Sequence, residues 1–360
     1  MKVFEKTIDI EIDNIPENSV FLDIETTGLS PERSHLYLFG CMWKEKDKWR
    51  LKQWLLESPF EERAALGEIA AFISGFSLLV HFNGERFDLP YLDTHAAERG
   101  IPSPFLTIPS LDLYKQLRSC KNLFSMSGAR QKDFERFAGN KRLDRFDGGQ
   151  LIDVYRRYCT SGDAQLLELL LLHNSEDVAG MGALTKLLPY QKLNDPAVRL
   201  FETPPVLVNS GRIFAGEDDE ALLRFSLADE YPITVSSRAG DIRLTVEGSS
   251  LRLLMPLFCG ELKHYFSPAR DYYYLPAEDM AIHKSVASYV DPSHREKATP
   301  QNCYIKTAGT FIPVLNEDIR DVFRESPSGA RYARLSGELL ENVPLWNGIL
   351  HDIFDLIRRS

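Results

Sequence analysis

Two acids set two residues apart inside an apolar run constrain this chain more than anything else in it. Asp23 and Glu25 sit in Phe21-Leu22-Asp23-Ile24-Glu25-Thr26-Thr27-Gly28. Val20 to Ile24 reads as a short buried strand closed by a tight Thr-Thr-Gly turn. On a strand, residues two apart point to one face, so both carboxylates reach a common point. Two further acids stand in frames of their own. Asp88 closes Asn83-Gly84-Glu85-Arg86-Phe87-Asp88, and Asp177 follows His173 by four residues in His173-Asn174-Ser175-Glu176-Asp177. On a helix that spacing leaves the two side chains offset by only ~40°, on one face. Four acids that converge in space have one obvious use, which is to hold two hard divalent cations.

The surrounding pattern supplies a scaffold. His35 to Trp43 and Lys48 to Leu56 read as a hairpin pairing onto the first strand. Pro59 to Phe76 has helical spacing with Glu61 and Glu62 in its first turn, where the helix dipole favours acids. Leu78 to Phe82 is a further buried strand, and Leu89 to Arg99 a helix ended by Gly100. This order predicts an α/β fold, a mixed sheet with helices on its faces. Residues 115–145 read as mostly helical, and a leucine-rich helix from Ala164 to Leu188 carries His173 and Asp177. After Pro189 the texture changes. Pro196, Pro204 and Pro205 mark a linker over 191–206, and 207–360 reads as a smaller α+β accessory domain. Its expected elements include short strands at Ile242 to Val246 and Leu251 to Leu257. A helix from Glu278 to Tyr289 and a last one from Leu345 to Arg358 complete them.

Charge narrows the function classes. A net charge of −10 and a pI near 5.4 argue against a general nucleic-acid-coating protein, while a metal cluster itself needs acids. Within 115–145, nine basic residues stand against three acidic ones, in a stretch between the second and third acid frames. Arg130, Lys132, Lys141 and Arg142 are its candidates for guiding a phosphate backbone; solvated helix faces are the plainer alternative. Thr26, Asn83 and Phe87 flank the acids and are candidate substrate contacts, Phe87 by packing on a base or ribose. Asp112 reads as a helix cap and His81 as a core histidine. Lys263 to Phe266 and Arg270 to Tyr274 mix aromatic and basic residues, a pattern that ordinary strand packing explains. Five cysteines without a Cys-x-x-Cys pair read as reduced thiols. With no apolar leader and no membrane-length run, a soluble, cytoplasmic chain is expected.

Asp23 to Gly28, Asn83 to Asp88 and His173 to Asp177 together resemble the three exonuclease motifs of the DEDD superfamily. Within it, the chain is similar to the YprB-type predicted exonucleases through Leu38-Phe39-Gly40, Phe82 to Leu92 and His173 to Val178. The resemblance covers about residues 18–190 and implies a ribonuclease H-like domain over 1–190 with a five-stranded sheet. It also implies two Mg²⁺ or Mn²⁺ ions held by Asp23, Glu25, Asp88 and Asp177, and 3′→5′ hydrolysis of single-stranded DNA or RNA. His173 would orient or deprotonate the attacking water, or else support a metal ligand. The superfamily's histidine subgroup has its histidine five residues before the last aspartate, and its tyrosine subgroup has tyrosine four before; this chain has histidine at the tyrosine spacing. Two rival readings remain at this stage: a structure-specific endonuclease on the same fold, and a nucleic-acid-binding scaffold with a vestigial site.

Overall fold

The computed structural model describes residues 1–144, 146, 148–211, 219–314, 319 and 321–360. The chain forms two compact units. One is Met1–Lys121 with Met126–Gln191, the other Asn122–Ser125 with Lys192–Ser360.

The first unit is built on a six-stranded sheet in the order β1-β4-β3-β2-β5-β6. Its strands are β1 (Lys2–Ile8), β2 (Ser19–Thr26), β3 (Leu36–Glu45), β4 (Lys48–Leu55), β5 (Leu78–His81) and β6 (Ser110–Asp112). Pairing is antiparallel from β1 through β2 and parallel from β2 through β6, a mixed sheet as expected. It has six strands where five were expected.

Alternation along β2 assigns its two faces. Val20, Leu22 and Ile24 join a core with α1 (Glu62–Ile73) and α2 (Asp88–Glu98) through Leu66, Ile69, Ile73, Leu89 and Leu92. Each such side chain taken from water contributes roughly 1.5–3 kcal/mol. Asp23 and Glu25 therefore face the opposite side. There, α5 (Gly148–Ser161) and α6 (Ala164–Leu184) cover the sheet through Val154, Tyr155, Tyr158, Leu166 and Leu170. The start of α6 is fixed by Asp163, whose carboxylate accepts the Gln165 N–H at 2.8 Å.

The basic stretch departs from expectation. Only α3 (Leu113–Leu117), a 3₁₀ turn (Arg118–Cys120) and α4 (Gln131–Phe137) are helical, because Ser and Gly break the run and Ser125 takes a left-handed φ of 53°. Arg145 of that stretch lies outside the described residues. Asp112 does cap α3, accepting the Lys115 N–H.

The second unit is β-rich. Glu220–Ala239 and Ile242–Pro256 pair along their length across a Gly240-Asp241 turn, so the short strands expected there are parts of one long hairpin. Phe258–Tyr265, Tyr304–Pro313, Tyr332–Arg334 and Phe323–Arg324 close a small barrel. The helix expected over Glu278 to Tyr289 is instead a strand, Met280–His283, followed by the short helix Lys284–Ala287. Tyr272–Leu275 pairs with that strand, and Asp279 turns the chain at a φ of 49°. The final helix spans Val343–Arg359. Among the described residues, no helix is long and apolar enough to cross a membrane.

Candidate active site

The four acids come from three elements that meet at the carboxyl end of the β2–β5 parallel pair, where α/β sheets characteristically hold ligands. Asp23 and Glu25 lie toward the end of β2, Asp88 opens α2 after the turn that follows β5, and Asp177 lies on α6. Asp88 Oδ1 accepts the Ile24 N–H at 3.3 Å, tying the second frame to the first. Asn174 ties the third: its Nδ2 donates to Asp23 Oδ2 at 3.0 Å, while its Oδ1 accepts Gln53 Nε2 at 2.9 Å.

His173 lies against two of the four acids. Its Nε2 lies 2.9 Å from Asp177 Oδ2 and 3.4 Å from Glu25 Oε1. Its Nδ1 lies 2.7 Å from Asp144 Oδ2. Ligand atoms of Glu25, His173 and Asp177 all fall within 4.8 Å of one another.

The electrostatics follow from burial. Burial pushes the Asp23 carboxyl well above its ordinary range, with repulsion from Asp177, Glu25 and Asp88 added. Burial likewise lifts Glu25 to about 8, against the pull of His173, and Asp88 to about 7, against two backbone N–H groups. For His173, burial opposes the charge, but the Asp177 hydrogen bond and the nearby acids prevail and raise it to about 9. Asp177 is the exception among the acids: burial is outweighed by His173 and Arg142, which hold it below its ordinary value. Crowded, desolvated carboxylates with an imidazole against two of them need added positive charge, and this oxygen-rich donor set fits hard divalent cations.

The other candidates have partners of their own or face solvent. Thr26 donates its hydroxyl to the Gly28 carbonyl at 2.8 Å. Asn83 adopts a left-handed φ of 64°, and its N–H donates to Asp112 Oδ1 at 2.8 Å. Phe87 caps α2 and packs, half-buried, 5.3 Å from the Tyr91 ring. Arg130 and Lys141 are exposed. Lys132 turns inward to Asp144 Oδ2 at 3.1 Å and to the Phe146 carbonyl at 2.7 Å. Arg142, expected as a surface guide, is buried in ion pairs with Glu135 and Asp177, because two acids outcompete solvent for it. His81 is a core residue, its Nδ1 accepting the Gly84 N–H at 3.0 Å.

Sequence reasoning missed Asp144 and Asn174 as working parts of the site. Asn174 stood next to His173 in the recognised pattern, which was the available signal. Asp144 had none, being one of three acids in a basic stretch.

A family comparison agrees with the architecture of the first unit. The family model of the RNase_H superfamily matches residues 20–188. No curated protein matches the chain. Among solved structures, the chain is similar to the family B DNA polymerase from the hyperthermophilic archaeon Pyrobaculum calidifontis. Identity is 14% and the TM-score 0.39, over 96% of this chain and 45% of that one. It is also similar to E. coli Exonuclease I in complex with a dT13 oligonucleotide, with 15% identity and a TM-score of 0.32 over 58% of this chain and 54% of that one. Apo Exonuclease I gives 16% and 0.29 over 58% and 56%. The chain spans about half the length of these structures. With the superfamily match laid over its mixed sheet, the first unit has a ribonuclease H-like fold.

Proposed function

We propose that the first unit is a metal-dependent 3′→5′ exonuclease of the DEDD type, closest in pattern to the YprB-type group, acting on single-stranded DNA or RNA. The observation that carries this reading is the convergence of Asp23, Glu25, Asp88 and Asp177 from three elements, with His173 against Glu25 and Asp177. Asp23, Glu25, Asp88 and Asp177 hold the cations, Mg²⁺ or Mn²⁺. Bound there, two such ions supply an activated water and positive charge for the departing oxyanion.

The remaining steps belong to the chain. Asn174, itself held by Gln53, fixes the Asp23 carboxylate. Asp144 holds His173 by Nδ1, which aims Nε2 at the carboxylates and makes it the ring atom that orients the attacking water. Thr26, Asn83 and Phe87 line the approach and contact the strand end; Phe87 offers a ring for a base or ribose. Arg130 and Lys141 are free to meet phosphates farther along the strand.

The test is a digestion with Mn²⁺ of matched 5′-labelled single-stranded DNA and RNA, with Asp23→Ala and Asp177→Ala beside the wild type. A descending ladder lost in both variants, and in chelator, is expected. Cleavage of a closed single-stranded circle would sink the exonuclease assignment in favour of an endonuclease. Binding of strands without cleavage would sink the catalytic one.

A further inference from the structure

Arg142 is carried by an acid outside the four-carboxylate set. Glu135, on α4, is 1% exposed, and its oxygens accept Arg142 Nε and Nη2, each at 2.5 Å. Gln131 Nε2 at 2.8 Å and Asn140 Nδ2 at 3.2 Å complete its shell. Helix α6 leaves room for this carboxylate only because residue 180 is glycine. A Cβ there would lie 2.1 Å from Glu135 Oε1. Arg142 is 8% exposed at its side chain, and its third nitrogen, Nη1, reaches Asp177 Oδ1 at 2.5 Å. The other Asp177 oxygen is taken by His173.

A guanidinium seated by one edge on a buried carboxylate keeps a fixed direction. Here its free edge sets a permanent positive charge on an oxygen that the cation centre needs. We propose that Arg142 is an internal competitor for Asp177. It weakens cation loading at Asp177 until a substrate phosphate gives the guanidinium another partner. This rests on the metal-nuclease reading and adds a regulation to it: metal and phosphate load together. A phosphate that draws Nη1 away frees Asp177 for a cation, and a cation at Asp177 frees Nη1 for a phosphate. By linkage, each ligand strengthens the other to the same extent.

Calorimetric titration with Mn²⁺ tests this, with and without thymidine 5′-monophosphate as the phosphate probe. Removing Arg142 alone would leave Glu135 buried and unpaired, so the variant is the double change Glu135→Gln with Arg142→Met, its fold checked by thermal melting. Without nucleotide, the double variant should bind Mn²⁺ about tenfold tighter than wild type or better. Nucleotide should tighten Mn²⁺ binding more in wild type than in the variant. Mn²⁺ affinity in the variant equal to or below that of wild type would overturn the proposal, as would an equal nucleotide effect in both. Wild type lacking any Mn²⁺ heat that depends on Asp23 would overturn the metal-nuclease reading itself, and this inference with it.

Discussion

Across three neighbouring strands, Asp23, Gly40 and Gln53 are register partners, and Asn174 from α6 lies over the middle one. Gly40 is what admits it: an added Cβ would sit 2.0 Å from Asn174 Oδ1, so the Asn174 amide would have to swing away. Gly40→Ala should therefore push Asn174 off both Gln53 and Asp23, costing about 1–3 kcal/mol by overpacking. It should also weaken Mn²⁺ binding, since Asp23 loses its fixed orientation. Urea unfolding and Mn²⁺ calorimetry read the two effects; a variant with wild-type values in both would remove Asn174 from the site's support. The same residues mark what the sequence could and could not disclose. The four acids could be picked out because they sit in three short frames, Asp23 and Glu25 sharing the first. Asn174 acts on Asp23 across 151 positions and Asp144 on His173 across 29, and no local pattern announces such pairings. The burial of Arg142 was hidden for the same reason, as its partners Glu135 and Asp177 become neighbours only after folding.

Helices α1 and α2 are joined to the sheet by one buried acid. Glu62, in the first turn of α1, accepts the Leu36 N–H at 3.0 Å, meets His95 Nδ1 at 2.7 Å and takes Arg99 Nη2 at 2.5 Å. Burial raises its carboxyl, but His95, Leu36 and Arg99 outweigh this and hold it below the ordinary value. Glu62→Ala leaves buried donors without an acceptor and should cost roughly 3 kcal/mol. A depressed carboxyl contributes stability above its unfolded value, near ~4.3, and loses it as pH falls through the lower folded one. Wild type should thus weaken more than Glu62→Gln as pH falls below about 4.5, in paired urea titrations at pH 6 and pH 3.5. Equal acid losses would show that this carboxylate does not couple the helices to the sheet. Glu62 was legible from sequence only as a favourable first-turn acid. Elements were readable where apolar period and turn chemistry agreed, as in β2 to β5 and the final helix. They were not readable where a short run of Met, Ala and Ile serves either state, as at Met280–His283, or where two strands of 20 and 15 residues form one hairpin. Bulges at Ser226/Tyr231 and Tyr231/Val235 interrupt the alternation there and made one hairpin look like separate short strands.

For the molecule as a whole, the acid cluster should write itself into the dependence of stability on pH. Asp23 is raised, Asp88 lies at about 7, Glu25 at about 8 and His173 at about 9, each above its ordinary value. The folded metal-free protein therefore holds these protons more tightly than the unfolded chain. For the three carboxylic acids, stability is full below about pH 4 and declines as pH rises toward the folded values. His173 adds a loss of the same sign above about 6.5. Asp177, held below its ordinary value, titrates below this window and does not offset the decline. A divalent cation reverses the sign, because it needs the carboxylates deprotonated and binds the folded state alone. A hundredfold excess over its dissociation constant contributes about 2.7 kcal/mol. The melting temperature in chelator should fall from pH 6 to pH 8.5, while the increment given by Mn²⁺ grows over that same interval. Asp23→Asn should flatten both trends, since it removes one of the raised carboxyl protons and one cation ligand together. Parallel melting curves with and without Mn²⁺ across that range would mean that these carboxylates do not titrate against a shared ion.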